Sequence, residues 1–281
     1  MTAFAFVTTC KGRLHHLQQT LPLIVAEAPD EIVVVDYGCP QGSGDWVEAN
    51  YPQVKVVRVT DDDGFRLARA RNLGASACSA PWICFIDADI RVGSGFVAWM
   101  RANARQRHYY RQAPVAGERD FETYGTVLCP RRAFTSLGGY DELFTGWGGE
   151  DDDLYDRLLI AGLAMDHYPA EMAQAISHDD GERMAFHALK RKDVQQVLNT
   201  FYRNAKVQVM KFRNLRTELP LAVRRELRQA VESAVLEWNG DEGKPLPAIN
   251  LNLTNEGWLP PPYRLLVKTS LTLTMDRPEG A

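Results

Sequence analysis

The sequence lacks several features that would assign it to a specialised class. It has no apolar run long enough to span a membrane, and its mean hydropathy of −0.29 agrees with this. The five cysteines are an odd number without paired short spacings, which argues against a secreted disulfide scaffold. The first residues are apolar only briefly and carry no basic leader, so we expect no signal peptide. Together these absences predict a cytoplasmic protein.

Charge is distributed unevenly along the 281 residues, whose formal net charge is −4. Residues 1–182 carry a net charge of −10, whereas residues 183–228 carry +9. The basic segment is interpreted either as a solvated helical face or as a surface for an anionic partner, such as the inner face of a membrane. We expect no nucleic-acid partner. The change of charge and pattern near residue 182 predicts a first domain over 1–182 and a mainly helical region with an irregular, strand-like tail over 183–281.

Short apolar runs alternate with longer amphipathic stretches in the first half of the chain. This alternation predicts an α/β domain with a parallel sheet. The expected strands are Ala3–Val7, Ile32–Val35, Val54–Val59, Trp82–Ile86 and Gly125–Leu128. The expected helices are Leu14–Ala26, a short one around Trp46, Phe65–Ala77 and Glu150–Ala161. Beyond residue 182 the spacing predicts helices over 183–213 and 218–238, then strands over Ile249–Leu253 and Leu265–Thr274.

Two carboxylates, Asp87 and Asp89, follow the apolar strand that begins at Trp82. Ligands of open α/β sheets bind at the carboxyl ends of the strands. Residues two apart in an extended segment project to the same side, so both carboxylates can face one site. Hard oxygen ligands suit Mg²⁺ or Mn²⁺. The segment therefore predicts a divalent-cation site, although a polar strand end with a helix cap would look similar.

A second acidic group follows a glycine-rich turn, in the stretch GWGGEDDD that begins at Gly146. The glycines permit close approach of the backbone to a ligand, and Trp147 could stack on the apolar face of a sugar. The four acids begin a predicted helix, where the macrodipole favours ionised carboxylates. An ionised carboxylate near neutral pH can take the proton of an attacking hydroxyl. Capping alone needs only one or two acids, so the stretch predicts a catalytic base.

Further polar groups are expected beside these clusters. His178 is the preferred imidazole for a metal site, with His187 as the weaker alternative. The end of the first strand, Thr8–Arg13, supplies backbone donors and two cations that suit a nucleotide. Asp36 ends the second strand at a position suited to uracil or ribose hydroxyls. Within the arginine-rich segment Arg66–Asn72, one arginine is expected to reach a diphosphate.

The motifs TTCKGR, VVVD, ARARNLGA and FIDAD occur in this order, and the chain thereby resembles the family 2-like nucleotide-diphospho-sugar transferases of the GT-A fold. The stretch GWGGEDDDLYDRL is similar to a region of β-1,4-galactosyltransferases and of the transferase domains of chondroitin-type polymerases. The resemblance covers roughly residues 3–180. It implies a mixed, Rossmann-like GT-A sheet flanked by helices, followed here by a helical C-terminal extension.

The resemblance also implies roles for individual residues. Asp89 and His178 would bind the metal, Asp151 would act as the base, Glu150 would contact the donor sugar and Asp152 the acceptor. Trp147 and Gly149 complete the expected donor and acceptor contacts. The expected nucleotide-binding residues are Thr9, Lys11, Arg13, Asp36, Arg69 and Asp87. The galactosyltransferases have a Met three residues before the ligand His, where this chain has Ala175, which leaves Mn²⁺ and Mg²⁺ as alternatives.

The implied activity is inverting transfer of a hexose or N-acetylhexosamine from a UDP-sugar to a hydroxyl of a saccharide, glycolipid or glycopeptide. A sugar nucleotidylyltransferase would share the layout and the metal, but such enzymes have a glycine-rich phosphate loop where this chain has TTCKGRLHH. A metal-dependent nuclease or phosphatase could also use the acidic clusters. The last alternative is a non-catalytic sugar- or membrane-binding module, against which the intact acidic set argues.

Overall fold

The structure is a computed structural model that describes residues 2–118, 120–177, 186 and 191–277. The chain divides into two compact units. The first consists of Met1–Gly146 and Glu150–Ala188, and the second of Trp147–Gly149 and Leu189–Ala281. The boundary thus falls a few residues beyond the expected position at 182, and the short segment Trp147–Gly149 groups with the C-terminal unit.

A seven-stranded mixed sheet forms the first unit, with the order β3-β2-β1-β4-β7-β6-β8. Its strands are β1 (Phe4–Cys10), β2 (Glu31–Asp36), β3 (Lys55–Arg58), β4 (Trp82–Phe85), β6 (His108–Gln112), β7 (Val127–Pro130) and β8 (Ala164–Tyr168). Strands β3, β2, β1 and β4 are parallel, β7 is antiparallel to both β4 and β6, and β6 is parallel to β8. A separate two-stranded sheet pairs β5 (Ile90–Val92) with β9 (Ala173–Ala175) in antiparallel orientation.

Helices cover the sheet on both faces because the side chains of each buried strand alternate between two apolar cores. In β1, Phe4 and Phe6 belong to one core, whereas Ala5 and Val7 belong to the other. The helices of this unit are α1 (Leu14–Ala26), α2 (Ser43–Asn50), α3 (Leu67–Ser76), α4 (Phe96–Asn103), α5 (Arg131–Ser136) and α6 (Glu150–Ile160). The first, second and fourth helices contribute to the first core, and α3, α5 and α6 to the second.

Helix α3 lies very close to the sheet at Gly74. A Cβ atom there would lie 2.4 Å from Cγ1 of Val7 and 3.0 Å from Cγ2 of Val35. The missing side chain lets the helix backbone approach β1 and β2 directly. This close packing fixes the position of α3, which carries the arginines of the ARARN segment.

The mixed GT-A-type sheet flanked by helices is confirmed. The structure contains the helix Leu14–Ala26 and the strand Leu265–Thr274 with the bounds expected from the sequence. The purely parallel sheet that the apolar pattern alone predicts is wrong, because β7 enters between β4 and β6 in the opposite direction. The sequence pattern also missed several short elements, namely β5, β6, α4 and α5.

The second unit contains two helices and a β-ribbon. Helix α7 is Lys192–Phe212, α8 is Leu221–Trp238, and the antiparallel strands β10 (Ala248–Gly257) and β11 (Leu265–Thr274) form the ribbon. Apolar residues of β10 at alternate positions, such as Ile249 and Leu251, are buried. No helix of the described residues combines the length and apolarity needed to cross a bilayer.

The basic segment does not form a uniform outward face. Lys206 is fully buried, and its ammonium group donates a hydrogen bond of 2.6 Å to Glu218. A basic surface for an anionic partner would include Lys206, and for this residue that interpretation is wrong, because its charge is neutralised inside the unit. Arg228 is also buried and donates to Asn199 Oδ1. Lys211 remains exposed, and Lys190 lies outside the described residues.

Candidate active site

A buried arginine joins the two acidic clusters that the sequence singles out. Arg71 on α3 is only 1% exposed. Its Nη2 donates to Asp87 Oδ1 at 2.8 Å, and its Nη1 donates to Asp151 Oδ1 at 2.7 Å. Glu150 Oε1 lies 3.8 Å from Nη1. The carboxyl end of β4 and the first turn of α6 therefore meet around one guanidinium.

Burial changes the ionisation of the acids at the start of α6. It raises the pKa of Glu150 to about 8, and the negative charge of Asp151 adds to the rise, whereas Arg71 opposes it. Burial also raises the pKa of Asp151, again against the effect of Arg71. The helix macrodipole was expected to keep these acids ionised, but desolvation outweighs it. Glu150 is therefore mostly protonated at neutral pH.

The pKa of Glu150 predicts a pH dependence of stability. In the folded state Glu150 keeps its proton up to about pH 8, whereas a Glu in the unfolded chain ionises near pH 4.5. The contribution of this difference to the free energy of unfolding is therefore complete below pH 4.5. That contribution falls by up to about 1.4 kcal/mol per pH unit as the pH rises and is lost above pH 8. Urea unfolding of the wild type and of Glu150→Gln across this range measures the difference. An equal pH dependence in both proteins would contradict the raised pKa.

A glycine leaves the space in which these charges meet. A Cβ atom on Gly125 would lie 2.6 Å from Nη2 of Arg71, 3.0 Å from Oδ2 of Asp87 and 3.2 Å from Oδ2 of Asp151. All three charged groups thus border the same small volume. Only a residue without a side chain fits there without displacing the guanidinium.

Gly125→Ala is expected to lower turnover by about 10-fold or more, because a shift of the order of 1 Å in a catalytic constellation costs up to 10²-fold. Thermal unfolding of the same variant should shift by only a few degrees. Gly243→Ala is the matched control, since its Cβ would only reach an ordinary contact of 3.4 Å with Asp241. Wild-type turnover in Gly125→Ala would show that the position of Arg71 does not matter for activity.

Two tyrosine hydroxyls form hydrogen bonds to acids at the start of α6. Tyr140 donates to Asp151 Oδ1 at 3.3 Å, on the same oxygen that Arg71 contacts. Tyr124 donates a short hydrogen bond to Asp152 Oδ1. Burial and this hydrogen bond raise the pKa of Tyr124 to about 12, so its hydroxyl stays protonated. Asp151 and Asp152 are thereby oriented from different sides.

The second carboxylate of the Asp-x-Asp pair has a different partner. Asp89 is 6% exposed, and its Oδ2 accepts a hydrogen bond of 2.6 Å from Nη1 of Arg13. The chain that leads towards His178 runs beside it, because Ile90 pairs with Ala175 and the amide of Ile176 donates to the carbonyl of Asp89 at 2.8 Å. His178 and His187 lie outside the described residues.

The expected nucleotide-binding residues lie at the carboxyl ends of β1 and β2 and on α3. The ammonium group of Lys11 donates to the carbonyls of Asp63 at 3.0 Å and Gly64 at 2.7 Å. The carboxylate of Asp36 accepts from the amides of Cys39 and Gly44. Thr9 is buried in β1. These contacts fix the loops at this edge of the sheet.

Arg69 belongs to the same edge but not to the acidic site. Its guanidinium contacts Asp61 at 2.7 Å and the hydroxyl of Tyr37 at 3.3 Å. Tyr37 in turn donates to Asp62 Oδ2 at 2.6 Å. The loop Asp61–Gly64 therefore joins Lys11, Tyr37 and Arg69, a grouping for which the sequence offered no signal beyond three consecutive acids.

The segment Trp147–Gly149 is held within the second unit. The amide of Trp147 donates to Gln195 Oε1 at 2.6 Å, and Asn199 Nδ2 donates to the carbonyl of Gly148 at 2.7 Å. Nζ of Lys192 lies 4.4 Å from the centroid of the Trp147 ring. Gly148 and Gly149 have φ values of 81° and 94°, which a side chain rarely permits.

The sequence matches two families of sugar-transferring enzymes. Residues 6–124 match glycosyl transferase family 2, and residues 107–179 match the N-terminal domain of galactosyltransferase. The second match contains the whole GWGGEDDD stretch. Over residues 6–179 the chain is thus similar to family 2 glycosyltransferases and to galactosyltransferases, and its fold is of the GT-A type.

The curated proteins to which the chain is similar are named for transfer of different sugars. Validoxylamine A glucosyltransferase of Streptomyces hygroscopicus subsp. limoneus is 26% identical over 208 residues, covering 53% of this chain and 46% of that protein. Beta-1,4-galactosyltransferase 1 of Bos taurus is 39% identical over 41 residues, which are 15% of this chain and 10% of that one. The matched part of the chain thus spans less than half the length of these relatives.

Solved structures share its fold at low sequence identity. TarS of S. aureus in complex with UDP-GlcNAc has a TM-score of 0.59 at 12% identity, covering 82% of this chain and 72% of that one. The mannosyltransferase PcManGT of Pyrobaculum calidifontis in complex with GDP-Man and Mn²⁺ has a TM-score of 0.53 at 15% identity, covering 86% and 76%. These similarities establish the GT-A fold of the chain.

Proposed function

We propose that the protein transfers a hexose or N-acetylhexosamine from a UDP-sugar to a hydroxyl of a saccharide or related acceptor, with inversion at the anomeric carbon. The observation that carries this proposal is the pair of contacts made by Arg71. They bring Asp87, at the strand end where α/β folds bind nucleotides, to Asp151, which follows the glycine-rich segment. A phosphate-binding edge and a carboxylate base thereby share one site.

The carboxylate of Asp151 is arranged to accept a proton. Its Oδ1 receives hydrogen bonds from Arg71 and Tyr140. No described residue donates to Oδ2, and 14% of the side-chain surface of Asp151 is exposed. Oδ2 is therefore the oxygen that can take the acceptor proton. The raised pKa of Asp151 brings its basicity closer to neutral pH, which favours general-base catalysis.

The proposed reaction is a single displacement. The acceptor oxygen attacks the anomeric carbon while its proton passes to Asp151, and the bond from the anomeric carbon to the diphosphate breaks, so that the electron pair leaves with the nucleoside diphosphate. Glu150, protonated at neutral pH, can donate a hydrogen bond to a hydroxyl of the donor sugar. Arg71 holds Asp151 in position and compensates its charge.

A divalent cation fits the carboxylate of Asp89. Hard oxygen donors at the carboxyl end of a buried strand suit Mn²⁺ or Mg²⁺. In the structure this carboxylate pairs with the guanidinium of Arg13, so a bound cation would share Asp89 with Arg13 or displace it. We propose that Asp89 and His178 hold the metal, which when bound supplies positive charge for the leaving diphosphate. The β5–β9 pairing supports this because it brings the chain before His178 beside Asp89.

A donor screen tests the proposal. Purified protein is incubated with Mn²⁺ and a panel of UDP- and GDP-sugars, and release of nucleoside diphosphate is measured with and without saccharide acceptors. We expect release from at least one UDP-sugar, faster with the right acceptor and abolished by chelator. Release of nucleoside monophosphate or pyrophosphate would instead indicate a hydrolase or a nucleotidylyltransferase. Full activity in excess EDTA would remove the metal from the proposal.

The structure leaves fewer exposed basic residues for membrane contact than the sequence alone suggests. The exposed part of the basic segment, such as Lys211, could meet an anionic surface at the inner face of a membrane. The burial of Lys206 and the pairing of Arg191 with Asp193 reduce the charge available for that purpose. We therefore propose a cytoplasmic enzyme whose basic segment has mainly structural contacts.

A further inference from the structure

The first unit contains a cavity whose lining includes none of the site residues expected from the sequence. It is small and open to solvent on one side, and its walls come from β6, β8 and the segment before β7. The lining residues are Arg111, Gln112, Asp120, Thr123, Tyr124, Thr126, Met165 and His167. Among these lining residues, Tyr124 alone forms a side-chain hydrogen bond to an acid of the active site, Asp152.

Arg111 is the central charged residue of this cavity. It is 8% exposed, and its guanidinium lies 4.0 Å from the centroid of the Tyr124 ring and 4.2 Å from that of Tyr155. It forms no ion pair with any described residue. Its buried Nε also has no hydrogen-bond partner among the described residues. The aromatic faces offset only part of the cost of burying the charge. Among the described residues, Arg111 thus has no ion-pair partner.

The other polar groups of the cavity are mostly donors or already paired. The hydroxyl of Thr126 is buried without a hydrogen-bond partner among the described residues. Gln112 is satisfied by Thr123 and by the carbonyls of Ala170 and Ala173. Asp120 is the one carboxylate in the lining; it is exposed, and its Oδ1 accepts from the amide of Glu122. The inner part of the cavity therefore favours an anion.

The cavity shares a wall with the acidic site. Tyr124 lines the cavity and stacks on Arg111, while its hydroxyl donates to Asp152. The positive charge of Arg111 also acts on Asp151, since it opposes the rise of the pKa of that acid. A molecule that places a hydroxyl near Asp151 and Asp152 could thus place another group, on the far side of the Tyr124 ring, beside Arg111.

We propose that this cavity binds an anionic group, a carboxylate or a phosphate, carried by the saccharide acceptor. The guanidinium of Arg111 would donate to the anion, whose negative charge would compensate the charge that the described residues leave without an ion pair. The proposal rests on the proposed function, which supplies the acceptor, and it narrows the acceptor to acidic saccharides.

Binding of simple acidic sugars to the protein without donor tests the proposal. The probes are glucuronic acid for the carboxylate, glucose 6-phosphate for the phosphate, glucose as the neutral match, and inorganic phosphate. Nitrogen-15 NMR follows the Nε–H signal of Arg111, assigned by its loss in Arg111→Lys. We expect at least one acidic sugar to shift this signal and to bind at least 10-fold more tightly than glucose. Which of the two sugars binds distinguishes carboxylate from phosphate.

The variants sharpen the result. Arg111→Gln should weaken binding of the acidic sugar by about 10-fold or more, since it removes a charge-assisted hydrogen bond to the anion. Arg132→Gln, which removes an exposed arginine from α5, should bind it like the wild type. Should Arg111→Gln fail to fold, the wild-type NMR titration and Thr126→Val, which removes the unpaired hydroxyl, carry the test.

Several outcomes would overturn the proposal. Equal binding of glucose and the acidic sugars, or an unmoved Nε signal at saturation, would exclude an anion site at Arg111. Tighter binding of inorganic phosphate than of either acidic sugar would exclude the saccharide. These readouts do not require turnover, so a failed donor screen with intact glucuronate or glucose 6-phosphate binding would refute the proposed function and not this site.

Discussion

Asp151→Asn is expected to lower kcat by about 10²–10⁴ while leaving donor affinity nearly unchanged. The amide keeps the shape of the side chain and can still accept from Arg71 and Tyr140 through its carbonyl oxygen. It cannot take the proton of the acceptor hydroxyl. Steady-state rates at saturating donor and acceptor, with calorimetry for donor affinity, measure both effects.

Asp152→Asn and Glu150→Gln are the matched controls for this experiment, because they change neighbouring acids on the same helix. Each should retain more activity than Asp151→Asn, since Asp152 is held by Tyr124 and Glu150 is mostly protonated at neutral pH. A near-normal kcat in Asp151→Asn together with a large loss in either control would move the role of the base to that residue.

Asp89→Ala is expected to reduce transfer by about 10³-fold or more and to weaken binding of the UDP-sugar in Mn²⁺. A bound metal ion contributes several kcal/mol of charge stabilisation, and each 1.4 kcal/mol changes a rate tenfold. Electron paramagnetic resonance of Mn²⁺ gives a readout that is independent of turnover. It should show loss of bound metal in the variant and its retention in the wild type.

The ion pair between Asp89 and Arg13 requires its own control. Arg13→Gln removes the 2.6 Å contact but keeps the carboxylate, so Mn²⁺ binding should survive even where nucleotide affinity falls. Loss of Mn²⁺ in Arg13→Gln, or normal Mn²⁺ binding in Asp89→Ala, would show that Asp89 serves the protein as an ion-pair partner and not as a metal ligand.

The acidic clusters could be found from the sequence, whereas the residue that connects them could not. Asp87 and Asp151 stand out as carboxylates at a strand end and a helix start, which are local features. The segment ARARN offers several arginines, and residues two apart point to different sides of a helix. Arg69 contacts Asp61, whereas Arg71 reaches the acids. Only the packing of α3 on the sheet decides between them.

Asn72 illustrates the same limit. The sequence places it on a helix face with Arg69, but in the structure it holds the backbone of Tyr140, whose hydroxyl contacts Asp151. Such a contact joins residues 68 positions apart, so no local pattern reveals it. Asn72 thus supports the proposed base through Tyr140.

One strand of the sheet could not be predicted from the sequence because its residues are mostly polar. Strand β6 reads HYYRQ, without the apolar alternation or continuous apolar run typical of strands. Arg111 is nevertheless buried there because two tyrosine rings cover its guanidinium. The interpretation of a strand from hydrophobicity fails where a buried charge is stacked on aromatic rings, and in this protein that position borders the cavity beside the active site.

The anomeric configuration of the first product tests the account most directly. Once a UDP-sugar substrate is found, proton NMR during turnover, even with water as the acceptor, distinguishes the two anomers before they equilibrate. With Asp151 as the base of a single displacement, an α-linked donor should give the β-anomer first, and Asp151→Asn should slow its appearance. Initial formation of the α-anomer would contradict the proposed role of Asp151 and the inverting mechanism.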